Sequence, residues 1–555
     1  MTLRRSALFV TALALTASVI TPAAVTASAA GEVHMVSVIV SETAPESSVA
    51  EGAVTAAGGD IGRRLGLIGG FAATIPASSL AMLGRTPGIA GLWTDGSVTL
   101  SDFEADLEQY DPLPPNTVWR AAIGLPSIPQ ETNGAGVTVA VLDTGVTRHP
   151  DLGNRVRARV DLTPDGGGYD TFGHGTHMTG LVAGNGQRSG GQWAGVATGA
   201  NIVSVRVSEW NGATDVSEVL GALEWIHNNA SRYGIRVLNL SFGTDSTQKH
   251  ELDPLNHAVQ RLWHAGILVV VAAGNRGEGG QNIDKPGDDP FVVTVGAADT
   301  VGTADPADDT VAPFSSRGPT GENVDKPDLV APGISIVSQA AAGSTLYEMR
   351  PAARVGTQYF KGHGTSQATA IVSGVAALMF QAAPSMTPNE AKAALLGTTD
   401  PAMVGQAGAG AGLVDAAAAV GAARSRAFVN DPANVGLARS TGTGSIDSSR
   451  GNAKPYTDFN GDGVPEQVSG DIDALGNAFN SGSWAARAWN ASTYPNSPWA
   501  RFTNVSAGWR ATPWTPGAWA GLGWDEQSWA ASSWQEAGLN PGNWTARYWR
   551  AEAWN

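Results

Sequence analysis

Four short segments, GVTVAVLD, NIVSVRVS, IRVLNLS and GILVVVAAGN, constrain the fold of this chain more than anything else in it. Each is dominated by Val, Ile, Leu and Ala and ends in polar or Gly residues. A half-exposed strand alternates apolar and polar side chains, so runs without alternation predict strands buried on both faces. Between them lie segments of helical character such as DVSEVLGALEWIHNNASRYG and ELDPLNHAVQRLWHAG. Buried strands separated by helices predict an α/β domain, a mainly parallel sheet with helices on both faces. In such sheets the chemistry gathers beyond the carboxyl ends of the strands.

This pattern runs from about residue 117 to 424 of 555, so further units are expected on either side. Residues 1–29 carry Arg4 and Arg5, an apolar stretch from Ala7 to Ile20 and the small-residue pattern Ala27-Ser28-Ala29. That is the layout of a secretory signal peptide, with an apolar core too short to span a bilayer, and the expected location is extracellular. Residues 30–101 read as a small α+β unit: strand-like HMVSVIV, helical SSVAEGAVTAAGG, then strand, helix and strand. The acidic, Pro-rich SDFEADLEQYDPLPPNTVW marks a junction, and the α/β domain is assigned to 102–424. Residues 425–455, rich in Ser, Gly, Asn and Ala, read as a linker.

Residues 456–555 form a repeat tail of unknown fold. Twelve of the chain's 18 tryptophans, from Trp484 to Trp554, fall on one five-residue register, with Phe479, Tyr494 and Leu539 in further slots. A five-residue step turns about 140° on an α-helix and changes face on a strand, so neither makes a single aromatic stripe. Attachment to glycans or a cell wall, a self-packed short-period solenoid and an unfolded segment are the three readings. The net charge of −16 argues against nucleic acid as a main partner. The absence of Cys excludes disulfides, thiolate metal sites and a Cys nucleophile.

Four stretches in the α/β region carry candidate chemistry. VTVAVLDTGV ends a buried strand on Asp143, GHGTHMTGLVAG places His174 before a small-residue helix, LVVVAAGN ends on Asn275, and GTSQATAIVSGVAALMF opens a helix at Ser366. Singly, each has an ordinary explanation. Asp-Thr-Gly also occurs in aspartic proteases, though those need a second copy, and none is present. His174 and His177 have a metal-ligand spacing without a clear third ligand. Asn275 and Ser366 are common helix caps. Together they supply an acid, a base, an amide donor and a nucleophile. Gly175, Gly274 and Gly364 beside them permit tight turns and close approach of a substrate backbone.

The order Asp, His, Asn, Ser separates this set from the chymotrypsin and α/β-hydrolase arrangements. It resembles the subtilases, the subtilisin-like serine proteases, over roughly residues 117–424. The resemblance implies a secreted endopeptidase acting on proteins or peptides, with Asp143, His174 and Ser366 as the triad and Asn275 in the oxyanion hole. It further implies that Ser241, Phe242 and Gly243 pair with the extended substrate, that the stretch around Gly212 flanks its other side, and that the N-terminal unit is an inhibitory propeptide. No cofactor is implied for the chemistry, while structural calcium is common in the family. In the tail, DFNGDGVPE sets Asp458, Asn460 and Asp462 at alternate positions, which suits a calcium loop or an Asx-rich turn.

Two features bear on how this chain differs. The family usually continues Met-Ala-Ser/Thr-Pro after the nucleophile, whereas Gln367, Ala368, Thr369 and Ala370 follow here. Arg276, next to Asn275, either lies over the primary pocket, where it disfavours Lys and Arg side chains, or points to solvent. The rival reading is a weakly active or inactive protein of this fold that binds a cell surface through its Trp tail.

Overall fold

The computed structural model describes residues 35–43, 48–65, 70–94, 113–163, 168–208, 210, 212, 214–278, 282–451, 456–457, 466–473, 476 and 478–487. The chain divides into two compact units, Met1–Thr99 and Leu100–Asn555.

In the first unit, β1 (Met35–Glu42), helix Ser48–Ala56, β2 (Asp60–Leu65), β3 (Gly70–Pro76), helix Leu80–Leu83 and β4 (Ile89–Thr94) follow in turn. The strands form one antiparallel sheet in the order β2-β3-β1-β4. Period-two alternation puts Val38 and Val40 of β1 and Phe71, Ala73 and Ile75 of β3 in one core with Ala50 and Val54 of the first helix. Strand β2 was not expected. DIGRRL has no alternating pattern because it is an edge strand, paired only with β3 and leaving Ile61 exposed.

The second unit contains β5 (Thr138–Asp143), β6 (Val156–Asp161), β7 (Asn201–Arg206), β8 (Ile235–Leu240), β9 (Leu268–Ala272), β10 (Val293–Asp299), β11 (Thr310–Val311) and β12 (Leu329–Pro332). Their order is β11-β10-β9-β8-β5-β7-β6, with β12 also paired to β10. Every pairing is parallel except β10 with β11. All of β5 and β9 is buried, as their unbroken apolar runs require. From β5 the chain first builds toward β7 and β6, then crosses to β8 and beyond. The reversal opens a crevice at the carboxyl ends of β5 and β8.

Helices cover the sheet. Val216–Tyr233 starts at a capping box, Asp215 accepting from Ser217 N at 2.8 Å with Glu218 three residues on, and stops at left-handed Gly234. It packs on helix Pro254–His264 and against β8. Helices His174–Ala183 and Thr365–Ala382 are small and apolar all round, pack on one another, and are buried throughout the first and as far as Phe380 in the second.

The expectation of a linker at 425–455 is corrected. Ile446 is fully buried, and Arg450 is buried with its Nε 2.7 Å from Asp215 Oδ1. Ser449 Oγ donates to Asp253 Oδ1 at 2.8 Å, and its carbonyl accepts from Thr244 Oγ1 at 2.6 Å. A polar composition misled here because polar residues hold this strap to the caps of two helices. Among the described residues no helix is long and apolar enough to cross a membrane.

Candidate active site

Asp143 is the last residue of β5 and His174 the first of its helix. The imidazole Nδ1 lies 2.8 Å from Asp143 Oδ1 and 3.0 Å from Oδ2, with both residues buried. Facing a carboxylate, Nδ1 keeps its proton, which makes Nε2 the basic nitrogen. The pair is held by residues that motif reading passed over. Thr144 N donates to Asp143 Oδ1 at 2.8 Å, and Thr144 Oγ1 accepts from Gly175 N at 2.8 Å. Asp170 gathers Thr144 Oγ1, Phe172 N, Gly173 N and Thr176 N within 2.6–3.1 Å, fixing the loop into the histidine helix. Burial raises the Asp170 carboxyl above its ordinary value although these donors oppose it. Gly175 has no side-chain alternative, since a Cβ there would collide with the Gly145 carbonyl.

His177, one turn on, is fully buried; burial, and then His174 and His363, push its pKa well below the ordinary value. It is a neutral core residue. Among the described residues no three His, Asp or Glu side chains are grouped to hold a metal ion. Asp458, Asn460 and Asp462 lie outside the described residues.

Ser366 is the second residue of its helix, and its Oγ donates to the Ser241 carbonyl at 3.1 Å. Ser241 Oγ in turn accepts from Asn239 Nδ2 at 2.8 Å, and Asn239 Oδ1 accepts from Ser373 Oγ at 2.9 Å. The helix bearing the serine is thereby tied to the end of β8, which carries Ser241, Phe242 and Gly243. Gly212 is buried with φ +81°, its neighbours 211 and 213 lying outside the described residues.

Asn275 follows β9. Its Oδ1 accepts from Thr365 N at 2.9 Å and Thr365 Oγ1 at 3.1 Å, which fixes the amide orientation. Its Nδ2 is buried and has no partner among the described residues. Gly274 has φ +104°, a region that disfavours a side chain, and a Cβ there would strike Asp284 Oδ2. Arg276 does not point freely to solvent: its guanidinium is tied down and its side chain is 32% exposed. Its Nη2 sits 2.5 Å from Asp284 Oδ1 and donates to Asn282 O at 2.9 Å, so of the two expectations the one that points it to solvent is corrected. Asp284 lies only nine residues beyond Asn275, but nothing in its sequence context distinguishes it from the acidic residues around it.

The subtilase family model of peptidase S8 matches residues 134–444, over half of the chain and past the 424 boundary. Serine protease AprX of Bacillus subtilis strain 168 is 44% identical over 277 residues, 49% of this chain and 63% of that protein. The match therefore spans slightly under two thirds of AprX. The extracellular serine proteinase of Thermus sp. strain Rt41A is 33% identical over 352 residues, covering 61% of this chain and 73% of the relative. Subtilisin Savinase of Lederbergia lenta is 36% identical over 253 residues, 45% of this chain and 79% of the relative. All four motif positions fall inside the matched region, and the chain belongs to the subtilase family.

Proposed function

We propose that this chain is a secreted serine endopeptidase that hydrolyses peptide bonds through an acyl-enzyme on Ser366. The observation that carries the reading is the Asn275 amide: Thr365 pins its carbonyl end, while its Nδ2 is buried without an acceptor among the described residues. Burying an unsatisfied donor costs about 1–3 kcal/mol. That expense suits a group whose acceptor arrives only when a substrate oxygen becomes negative. A protein of this fold serving only to bind has no use for it, which disfavours the rival reading.

In the proposed cycle His174 Nε2 takes the Ser366 hydroxyl proton as Oγ attacks the scissile carbonyl carbon. Asp143 holds the ring and stabilises the imidazolium. Asn275 Nδ2 and the Ser366 backbone N–H, in the first turn of its helix, donate to the tetrahedral oxygen. Collapse passes the proton from His174 to the leaving amine, and water then attacks the acyl carbon by the reverse route. The route calls for no cofactor.

The N-terminal unit serves as inhibitor and folding aid, a role that suits a parallel sheet built from slow, non-local contacts. Export rests on the leader-like residues 1–29 and on the extracellular nature of the Thermus relative. Contact with a cell wall or glycans falls to the tail.

The test is covalent labelling by a fluorescent organophosphonate. The full chain, after release of its N-terminal unit, should label stoichiometrically on Ser366 and cleave casein, and Ser366→Ala should do neither. Folded, processed protein that does not label sinks the assignment.

A further inference from the structure

Two segments are assigned to flank the substrate, the stretch around Gly212 and Ser241–Gly243, and one short strap grips the residues that continue both. Three residues past Gly212, the carboxylate oxygens of Asp215 meet Arg450 Nε and Nη2 at 2.7 and 3.2 Å. One residue past Gly243, Thr244 Oγ1 donates to the Ser449 carbonyl at 2.6 Å. All four residues are buried. The strap, residues 446–451, starts just beyond residue 444, where the family match ends. It lies outside the region that the family model describes.

The strap is itself fixed in place. Ser449 Oγ donates to Asp253 Oδ1 at 2.8 Å, so Ser449 and Arg450 join the N-caps of helices Pro254–His264 and Val216–Tyr233. Arg450 Nη1 donates to Gly470 O at 3.0 Å and Nη2 to Ile472 O. Leading into the strap, Ser445 N donates to Gln248 Oε1 at 2.9 Å, and Gln248 Nε2 donates to Ser445 O at 3.0 Å and to Asp253 Oδ2 at 2.9 Å. At its end Gly451, with φ +64°, lies so close to the turn after Thr244 that a Cβ would strike Asp245 Oδ1 and Ser246 N.

The sheet alone does not set the distance between the two flanking segments. The segment around Gly212 follows β7 and Ser241–Gly243 follows β8, with β5 lying between those strands. Their ladders with β5 end at Arg206 and Leu240, short of both segments. An extended peptide that bonds by main chain to a segment on each side needs them one strand apart, about 4.7–4.9 Å from itself on either side. A two-pronged Arg–carboxylate contact fixes direction as well as distance. We infer that Arg450 and Ser449 are positioning residues for substrate binding: the strap sets the gap between the two segments and so favours peptides long enough to lie extended across both. The inference rests on the protease reading and names the form of substrate that its site takes.

The experiment uses the processed full chain and two substrates with the same acyl-side residue. One is a blocked tetrapeptide p-nitroanilide, which spans both segments; the other is the p-nitrophenyl ester of the blocked single amino acid, too short to bridge them. The readout is the long-to-short ratio of kcat/KM, each value taken per Ser366 titrated with phosphonate. Arg450→Ala should lower that ratio about tenfold, because a displaced segment is felt only by a substrate that reaches it. Thr244→Val, which removes only the hydroxyl that holds the Ser449 carbonyl, should lower it about threefold. A merely structural strap reduces the amount of titratable enzyme and leaves the ratio alone, so a ratio that Arg450→Ala does not change overturns the inference. Should Arg450→Ala yield no titratable protein, Thr244→Val decides, and an unchanged ratio there overturns it equally. If the unsubstituted protein neither labels nor cleaves either substrate, the protease reading itself has failed and takes this inference with it.

Discussion

Asn275 is useful to the proposed chemistry only if its amide is held one way round, and Thr365 does the holding from both its backbone and its hydroxyl. The same hydroxyl accepts from Gly274 N at 3.3 Å, so one small side chain sets the loop and the amide together. Removing the hydroxyl in Thr365→Ala leaves the backbone bond but lets the amide turn. One such bond is worth about 1 kcal/mol, so kcat should fall about fivefold with KM little moved, and Thr365→Ser should restore it. A purely structural role for Thr365 would lower the melting temperature and leave kcat where it was. Asn275→Ala should cost more, about 10²–10³ in kcat, a range that comes from a relative in this family rather than from the present geometry. Thr365 was not singled out by motif reading, because its role depends on a residue 90 positions away.

At the scale of elements, the strap of residues 446–451 is held by charge. Arg450 Nε and Nη2 meet Asp215 Oδ1 and Oδ2 at 2.7 and 3.2 Å with both residues fully buried, and Nη1 donates to Gly470 O at 3.0 Å. Burial alone would raise the Asp215 carboxyl, but Arg450 and the hydrogen bonds from Ser217 outweigh it and hold the pKa below the ordinary value. Arg450→Ala strands a buried carboxylate at the cap of helix Val216–Tyr233 and should destabilise the protein by about 3–5 kcal/mol near neutral pH. A depressed folded-state pKa contributes stability above the unfolded value, about 3.9, that is lost as pH falls through the folded value. The gap between native and Arg450→Ala stability should therefore be widest near neutrality and shrink below about pH 4. Urea unfolding across pH 3–7 measures it, and a gap constant with pH would mean that the pair is not what the substitution removes.

At the scale of the whole molecule, the tail begins inside the core of the second unit. Trp484, the first tryptophan of the register, is 7% exposed. It meets His257 edge-on at 5.9 Å and Phe479 at 6.1 Å between ring centroids, docking helix Ser481–Arg487 onto helix Pro254–His264. The first slots of the repeat are therefore spent on self-packing, so any wall or glycan contact falls to later ones. Trp484→Ala should cost about 3 kcal/mol, the usual price of emptying a buried Trp site. A chain ending after Arg487 should keep that stability, while one ending before Phe479 should lose it. Thermal unfolding compares the three, and equal midpoints would remove Trp484 from the core.

The buried parallel sheet was legible in the sequence because burial on both faces imposes a local signature: Val and Ile runs without alternation, as in β5 and β9. The motif residues were legible for a related reason, since strand ends and helix starts punctuate such runs. Strand β2 and the 446–451 strap were not, because their stability comes from partners distant in the chain, and polar or irregular composition carries no mark of them. The same holds for Asp284. An aspartate among several acquires its environment only when the chain returns to β8 and β9, burying it beside Arg276 and against Gly243 and Gly274. Local sequence determines which faces must be buried and which backbone can turn; only tertiary structure decides which buried charges meet, because pairing energies depend on distance and desolvation that no stretch of sequence contains.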